Sequence, residues 1–291
     1  MKRLRSECLD CIITRQLKNY PDTATEDEKI AYKKELFGIV YNAKDYDSGP
    51  TMVDKISNLQ KKLFGMENPY TKLKPYYNDF MEKFIPQLKE NVKNAENPLT
   101  LAIQYAMVGN YIDFGAVPNV KDEEIEKLLA KAHEYKLSID TNACLERDLA
   151  EGDSLVFLTD NCGEIVMDKM LLETIHKIYP HLKITVIVRG GEVLNDATIS
   201  DAKQVGLTDE FHVIGSGSSI GGTCLELISG QARDLIDNAS LVLAKGQGNF
   251  ETLRGCGLNI YYIFLCKCEM FAKDFSVEKF TGMLVNDKEC K

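Results

Sequence analysis

Several features that mark other classes of protein are missing from this 291-residue sequence. No segment approaches the roughly 20 uninterrupted apolar residues of a membrane-spanning helix. The charged opening stretch, residues 1–7, has no apolar run behind it of the kind that a signal peptide needs. There is also no internal repeat and no low-complexity tract. These absences predict a globular cytoplasmic protein with no membrane partner.

Two common kinds of functional motif are absent as well. The four histidines match no spacing of metal ligands. The Gly-x-x-x-x-Gly-Lys-Ser/Thr phosphate loop does not occur. The Gly- and Ser-rich segment 215–223 could wrap an oxyanion with its backbone N–H groups, although many such segments are only connectors.

The charge balance narrows the range of partners. With 35 basic and 44 acidic residues, the chain carries a net charge of −9. Such a surface repels polyanions, so nucleic acid is not an expected partner, whereas a local site could still bind a small phosphate ester. Nine cysteines make an odd number for a disulfide framework, which favours free or metal-binding thiols in a reducing compartment.

The two halves of the sequence differ in the spacing of their apolar residues. Residues 1–150 show helical periodicity and predict a helical lobe, with helices expected at 26–42, 52–63, 76–95, 99–111 and 122–135. Residues 151–291 alternate short apolar runs with helical stretches. The runs are 154–159, 183–188, 211–214, 240–244 and 260–265, and the helical stretches include 164–178, 198–205, 225–237 and 249–255. This alternation predicts an α/β domain in which helices cover both faces of a parallel sheet, a three-layer αβα arrangement.

Polar residues follow the first two predicted strands. Asp160 and Asn161 come directly after the first strand, and Asn195 and Asp196 follow the second. Either pair alone could only cap the helix behind it. Two such pairs at the ends of successive strands favour a hard-cation site, because ligands bind at the carboxyl ends of parallel strands and Mg²⁺ or Mn²⁺ prefers oxygen ligands. We expect Asp160, Asn161 and Asp196 to bind the metal.

Other residues at the same edge are suited to phosphoryl chemistry. Lys245 directly follows an apolar strand, where a phosphate, a metal-bound carboxylate or a structural Asp would have to compensate its charge. Gly163 can bring its N–H group close to a ligand, and Glu164 could orient water or substrate. Asn249 would bind phosphoryl oxygens beside Lys245. We also count Arg189 and Asn195 among the candidate phosphate ligands.

Phosphoryl transfer needs charge neutralisation and positioning more than covalent chemistry. A metal at this site could polarise an ester and lower the pKa of a bound water. We therefore predict Asp160, Glu164, Asp196 and Lys245 as catalytic residues of a metal-dependent phosphatase. A covalent role for Asp160 stays open.

Three ordered motifs resemble the damage-control phosphatase family, also described as acidic-residue-methyltransferase-like. They are Asp-Asn-x-Gly-Glu at 160–164, Arg-Gly-Gly-x-x-x-Asn-Asp-Ala-Thr at 189–198, and Lys-Gly-Gln-Gly-Asn-x-Glu-Thr at 245–252. The Cys-x-x-Cys at 8–11 and the segment 109–114 resemble the cysteine-containing, mostly prokaryotic branch.

The resemblance implies a helical N-terminal lobe, a Rossmann-like sheet and a divalent-metal site between them that takes Mg²⁺, Mn²⁺, Co²⁺ or Ni²⁺. It carries metal binding onto the three oxygen-bearing residues named above and phosphate contact onto Lys245. Asn110 and Asp113 would line the site from the helical lobe, although Asn110 could simply end a helix. The implied substrates are sugar phosphates or related small esters.

The cysteines allow a second site. Cys8, Cys11, Cys266 and Cys268 could bind zinc or another soft metal if the chain ends meet. Cys8 and Cys11 could instead form a redox pair, or all four could be small buried residues. Two other functions stay open: a non-catalytic regulator that binds a nucleotide or sugar phosphate, and a metal-binding scaffold built on the cysteines. The sequence does not predict an oligomeric state.

Overall fold

Helices fill the first half of the chain in the computed structural model, which describes residues 3–110, 122–134 and 141–289. They are α1 (Ser6–Gln16), α2 (Glu26–Tyr41), α3 (Gly49–Phe64), α4 (Lys74–Glu82), α5 (Ile85–Asn94), α6 (Pro98–Gly109), α7 (Asp122–Ala130) and α8 (Asn142–Glu151). Local sequence explains several ends. Thr25 and Glu28 form a capping box at the start of α2, and Gly65 ends α3 in a left-handed conformation.

Two of the predicted helices differ most from the structure. The helix expected at 76–95 is two helices, α4 and α5, because Pro86 lies in the first turn of α5, the position where proline starts a helix rather than continues one. The helix expected at 225–237 begins only at Gly230, where the Ser229 side chain caps it by accepting a hydrogen bond from Ala232 N–H.

The second half forms one six-stranded sheet. Its strands are β1 (Ser154–Leu158), β2 (Lys183–Val188), β3 (His212–Gly215), β4 (Leu241–Lys245), β5 (Ile260–Leu265) and β6 (Gly282–Asn286). The helices between them are α9 (Glu164–Ile178), α10 (Ile199–Gln204), α11 (Gly230–Asp237), α12 (Gly246–Leu253) and α13 (Glu269–Phe275).

The strand order is β3-β2-β1-β4-β5-β6, in which β1 to β5 are parallel and β6 is antiparallel to β5. This arrangement confirms the predicted α/β class and adds an antiparallel edge strand that the sequence reading missed. The order reverses between β1 and β4, so the binding crevice of such a sheet is expected at their carboxyl ends.

Alternate residues of the strands face two hydrophobic layers. In β1, Leu155 and Phe157 belong to one buried cluster, while Val156 and Leu158 belong to another. The first cluster also contains residues from α5, α6, α8 and α9, so these helices cover one face of the sheet. A third cluster joins α1, α2 and α3. The predicted boundary near residue 150 stays a prediction, since helices on both sides of it share one core.

No helix in the described part of the chain is both long enough and apolar enough to cross a membrane.

Candidate active site

The loops that follow β1 and β2 are joined by their backbones. The Ala197 N–H donates to the Asp160 carbonyl at 2.7 Å, and the Cys162 N–H donates to the Asn195 carbonyl at 2.7 Å. Asn161 and Asp196 form an isolated antiparallel bridge. The structure therefore brings Asp160, Asn161 and Asp196 together, because the strands that carry them are neighbours in the sheet.

Arg189 lies between two of these carboxylates. Its Nη2 is 3.2 Å from Asp160 Oδ1, its Nε is 2.6 Å from Asp196 Oδ2, and its Nη1 donates to Asn249 Oδ1 at 3.1 Å. The side chain is only 1% exposed. We call Arg189, Asp160 and Asp196 the outer network. Arg189 was predicted to bind phosphate, but here its guanidinium holds the two acids.

A second network lies deeper. Lys245 Nζ is 2.6 Å from Glu164 Oε1 and 2.5 Å from Asp168 Oδ1, and it donates to the Ala106 carbonyl at 3.0 Å. All three ionic side chains are fully buried. We call Lys245, Glu164 and Asp168 the inner network. The three N–H donors of Lys245 are thus matched by three protein acceptors.

Asp168 was missed at the sequence level. It lies one helical turn after Glu164 on α9, so both carboxylates share a helix face. The i, i+4 spacing of the two acids near Lys245 was the available signal, but an acid in a helix is too common to be chosen from sequence alone.

Two amides link the networks. Asn110 Nδ2 donates to Asp160 Oδ2 at 3.1 Å and to Glu164 Oε2 at 2.9 Å. Asn161 Nδ2 donates to the same two oxygens, each at 2.9 Å. This network assigns the Asn161 amide with its nitrogen toward the carboxylates and Oδ1 away from them. Within the described residues, Asn161 Oδ1 and Asp196 Oδ1 accept no hydrogen bond.

The electrostatics of the site are those of excess buried acid. Burial, followed by repulsion from Asp196 and Glu164, raises the pKa of Asp160 well above its usual range. Burial likewise raises the pKa of Asp196 and raises that of Asp168 to about 7. Burial would also raise the pKa of Glu164, but Lys245 and the hydrogen bonds from Asn110 and Asn161 outweigh it, so that pKa is lowered.

The number of charged groups in the two networks also shows an excess of acid. The two networks contain four carboxylates and two cations, so two negative charges remain uncompensated when all six groups are ionised. This deficit adds to the larger effect of burial in raising the pKa values of Asp160, Asp168 and Asp196. A divalent cation would match the deficit.

The donor set fits a hard metal ion. Carboxylate and amide oxygens are ligands that Mg²⁺ and Mn²⁺ accept, and the set offers two carboxylates and one amide, with unused oxygens on Asp196 and Asn161. The described residues contain no group of three or more His, Cys, Asp or Glu side chains arranged to hold a metal. The candidate site does not conflict with this finding, because its third oxygen donor is the amide of Asn161.

Comparisons with known proteins give the same assignment as the motifs. A model of the damage-control phosphatase ARMT1-like domain matches residues 4–282. The chain belongs to this family. The sequence is similar to damage-control phosphatase PH1575 of Pyrococcus horikoshii, with 30% identity over 289 residues that cover 97% of each chain. It is also 29% identical over 261 residues to a damage-control phosphatase of Archaeoglobus fulgidus, covering 87% of this chain and 88% of the relative.

The fold is shared with a solved structure. The crystal structure of a DUF89 family protein, PH1575 of Pyrococcus horikoshii, superposes with a TM-score of 0.80 at 26% identity, covering 98% of this chain and 99% of the other. The predicted family and fold are therefore both confirmed for this member of the damage-control phosphatase family.

Several residues predicted to bind phosphate form hydrogen bonds with other residues of this chain. The Gly163 N–H donates to Asn78 Oδ1 at 2.7 Å. The Asn249 amide donates to the carbonyls of Thr159 and Lys245, at 3.1 and 2.6 Å. Asn195 is buried beside the Asp160 turn. Asp113 lies outside the described residues. The roles of these residues toward substrate stay predictions.

Two further residues lie close to Asp160. Lys267 follows β5, and its charge lowers the pKa of Asp160 against the larger effects of burial and neighbouring acids. The strand-end rule that identified Asp160 would have found it. Gly246 begins α12 with φ of +81°, and any side chain there would overlap the Asp160 carboxylate. Glycine at this position lets the helix N-terminus approach the acid.

The cysteines of this family member do not form the predicted soft-metal site within the described residues. Cys11 is exposed on α1, whereas Cys266 is buried and Cys8 and Cys268 pack against the hydrophobic cluster that contains it. One of the four thiols is therefore exposed, while the other three are buried or half-buried. Burial raises the pKa of the Cys162 thiol, which keeps it protonated at neutral pH.

Proposed function

We propose that this chain is a metal-dependent phosphomonoesterase that hydrolyses small phosphorylated metabolites, such as sugar phosphates or related esters. The observation that carries the proposal is the excess of buried acid at the carboxyl ends of β1, β2 and β4, with unused oxygens on Asn161 and Asp196. Nearly all the surrounding acids are paired within the protein, so these oxygens are left for a cation.

Asp160, Asn161 and Asp196 would hold the metal. When bound, a divalent ion polarises phosphoryl oxygens and lowers the pKa of a coordinated water. Arg189 fixes the separation of the two carboxylates through its hydrogen bonds to both. Glu164 fixes the Asn161 amide so that its oxygen is presented to the ion.

The residues proposed here to contact the substrate phosphate differ from those predicted from the sequence. Lys245 is enclosed by Glu164, Asp168 and the Ala106 carbonyl, so any effect of Lys245 on substrate would pass through Glu164. Lys267, a half-buried residue after β5 whose charge acts on Asp160, is a further candidate for attracting a phosphoryl group. Gly221, in the Gly/Ser loop after β3, lies near the Asp196 carboxylate and adds backbone close to the metal position.

The opening of the site favours small substrates. The side chains of Asp160 and Asp196 are only 12% and 5% exposed. A bulky macromolecular phosphate would have little access, and the net charge of −9 disfavours polyanions. Two relatives named damage-control phosphatases support the same substrate class. The proposed location is the cytoplasm, as the sequence predicts.

The test is release of inorganic phosphate from sugar phosphates and p-nitrophenyl phosphate, with Mg²⁺, Mn²⁺, Co²⁺, Ni²⁺ or EDTA. We expect metal-dependent turnover in the wild type and its loss in Asp160→Asn. Asp148→Asn is the matched control, because Asp148 is a carboxylate that hydrogen-bonds Tyr261 and Asn259 away from the candidate site. This variant should keep its turnover.

Absence of turnover with every metal, in protein shown to be folded, would contradict the proposal. The non-catalytic regulator would then be the better explanation. Its signature would be binding of a sugar phosphate or nucleotide without release of phosphate.

A further inference from the structure

Asn78 is a buried amide that belongs to none of the sequence motifs. It lies on α4, and its side chain is inaccessible to solvent. Its Oδ1 accepts the Gly163 N–H at 2.7 Å, and its Nδ2 donates to Asp201 Oδ1 at 3.0 Å and to Gln204 Oε1 at 2.9 Å. Both amide protons are used. A buried amide is costly unless it is satisfied in this way.

The partners of Asn78 belong to both loops of the candidate metal site. Gly163 has φ of +70° and forms the turn between Asn161 and Glu164. Asp201 caps α10 by accepting from the N–H and the hydroxyl of Thr198, at 2.8 Å each, and Thr198 ends the loop that carries Asp196. One side chain from the helical half therefore joins the turn after β1 to the turn after β2.

Lys74 extends the same connection one helical turn earlier on α4. Its Nζ is 2.8 Å from Asp201 Oδ2 and 3.1 Å from Glu192 Oε2. Residues four apart share a helix face, so Lys74 and Asn78 present adjacent polar groups to the two loops. The face of α4 that meets these loops therefore carries polar groups that pair with them, and not only apolar side chains.

We propose that Asn78 is a positioning residue that fixes the Asn161 turn relative to the Asp196 loop and so sets the geometry of the metal ligands. The inference rests on the proposed metal-dependent function. Asn78 lies outside the ligand set itself, and it acts through the Gly163 N–H on one side and through Asp201 on the other.

The test compares Asn78→Ala and Asn78→Asp with wild type for Mn²⁺ affinity by calorimetry and for p-nitrophenyl phosphate turnover. Outer-shell changes typically cost about 10- to 100-fold in metal affinity or activity, and we expect losses in that range. Asn78→Asp keeps an acceptor for Gly163 but sets a carboxylate against Asp201, so its loss should be at least as large.

The exchanged pair Asn78→Asp with Asp201→Asn supplies the decisive measurement. It restores a hydrogen bond between the two positions with reversed polarity, and the amide oxygen introduced at position 201 can still accept from Thr198 and Lys74. We expect Mn²⁺ affinity to rise clearly above that of Asn78→Asp but to stay below wild type, because the carboxylate at position 78 cannot donate to Gln204 Oε1. Such recovery is predicted by a coupling between contacting residues and not by a general loss of stability.

Gln60→Ala is the matched control, because it removes a buried amide that hydrogen-bonds Asn19 and Tyr32 in the α1–α3 cluster. It should lower thermal stability while Mn²⁺ affinity stays unchanged. Wild-type Mn²⁺ affinity in Asn78→Ala, or an exchanged pair no better than Asn78→Asp, would overturn the inference. If wild type itself bound no metal, the proposed function would fail instead, which keeps the two failures distinct.

Discussion

The outer and inner networks each set two carboxylates around one cation, yet they leave different atoms unused. In the outer network, Asp196 Oδ1 accepts no hydrogen bond among the described residues, and the acids retain slight exposure. In the inner network, the Lys245 donors are all matched and every side chain is enclosed, so Asp168 Oδ2, which accepts no hydrogen bond among the described residues, is buried away from solvent. Networks of similar composition therefore suit two different proposed roles, a metal-ligand site beside solvent and a rigid support behind it.

The difference follows from where each cation lies. Arg189 binds one oxygen of each acid. Among the described residues this leaves Asp196 Oδ1 without a hydrogen bond, whereas Asp160 Oδ2 accepts from Asn110 and Asn161. Lys245 extends from the end of β4 to α9 and to the last turn of α6, where it is enclosed by Ala106, Glu164 and Asp168. A buried ion pair of this kind stabilises only when all its members are present.

The largest expected effect is a loss of metal-dependent turnover when the outer network is changed. Asp196→Asn should reduce metal-dependent turnover more than about 100-fold, because the ligand itself should matter more than outer-shell groups do. Metal-free stability at neutral pH should not fall, since the raised pKa of Asp196 means that its ionised form is unfavourable in the folded protein. Phosphate release and thermal unfolding in EDTA measure the two effects, and a large loss of metal-free stability would contradict the comparison.

The next effect should appear in stability. Lys245→Met leaves Glu164 and Asp168 buried without their cation, and breaking a buried pair in this way typically costs about 3–5 kcal/mol. Urea unfolding of wild type and variant measures the change in the free energy of unfolding. A cost below about 1 kcal/mol, within the range of exposed ion pairs, would show that the inner network is not the support described here.

The smallest expected effect is a change of stability with pH that arises from Asp168 in the inner network. The pKa of Asp168 is raised to about 7 in the folded protein, above about 4 for an unfolded aspartate. The folded state therefore binds the proton more tightly, and stability falls as the pH rises between these values. Relative to Asp168→Asn, wild type should lose free energy of unfolding across this interval and then level off. Urea unfolding at several pH values tests this, and a difference independent of pH would contradict it.

Turnover of Asp168→Asn should fall by no more than about tenfold, because Asp168 contacts Lys245 and not the proposed metal ligands. A loss as large as that of Asp196→Asn would mean that the two networks do not have separate roles.

Much of the architecture could be predicted because its signals are local. The apolar runs at 154–159 and 183–188 are buried strands, and α9 spans the predicted residues 164–178. β6 escaped prediction since an edge strand near the chain end lacks a following helix to mark it. The prediction of one helix at 76–95 was wrong at Pro86, because the backbone restriction of proline outweighed a continuous apolar pattern.

The sequence by itself determined the α/β class, the family and the pairs of acid and amide at the strand ends, because periodicity and short motifs are properties of neighbouring residues. The tertiary structure alone decided which partner each polar group has. It turned Arg189 and Lys245 inward, and it brought Asn78 and Asn110 from the helical half to the loops. Partner choice depends on residues far apart in sequence, which meet only when the helices pack on the sheet.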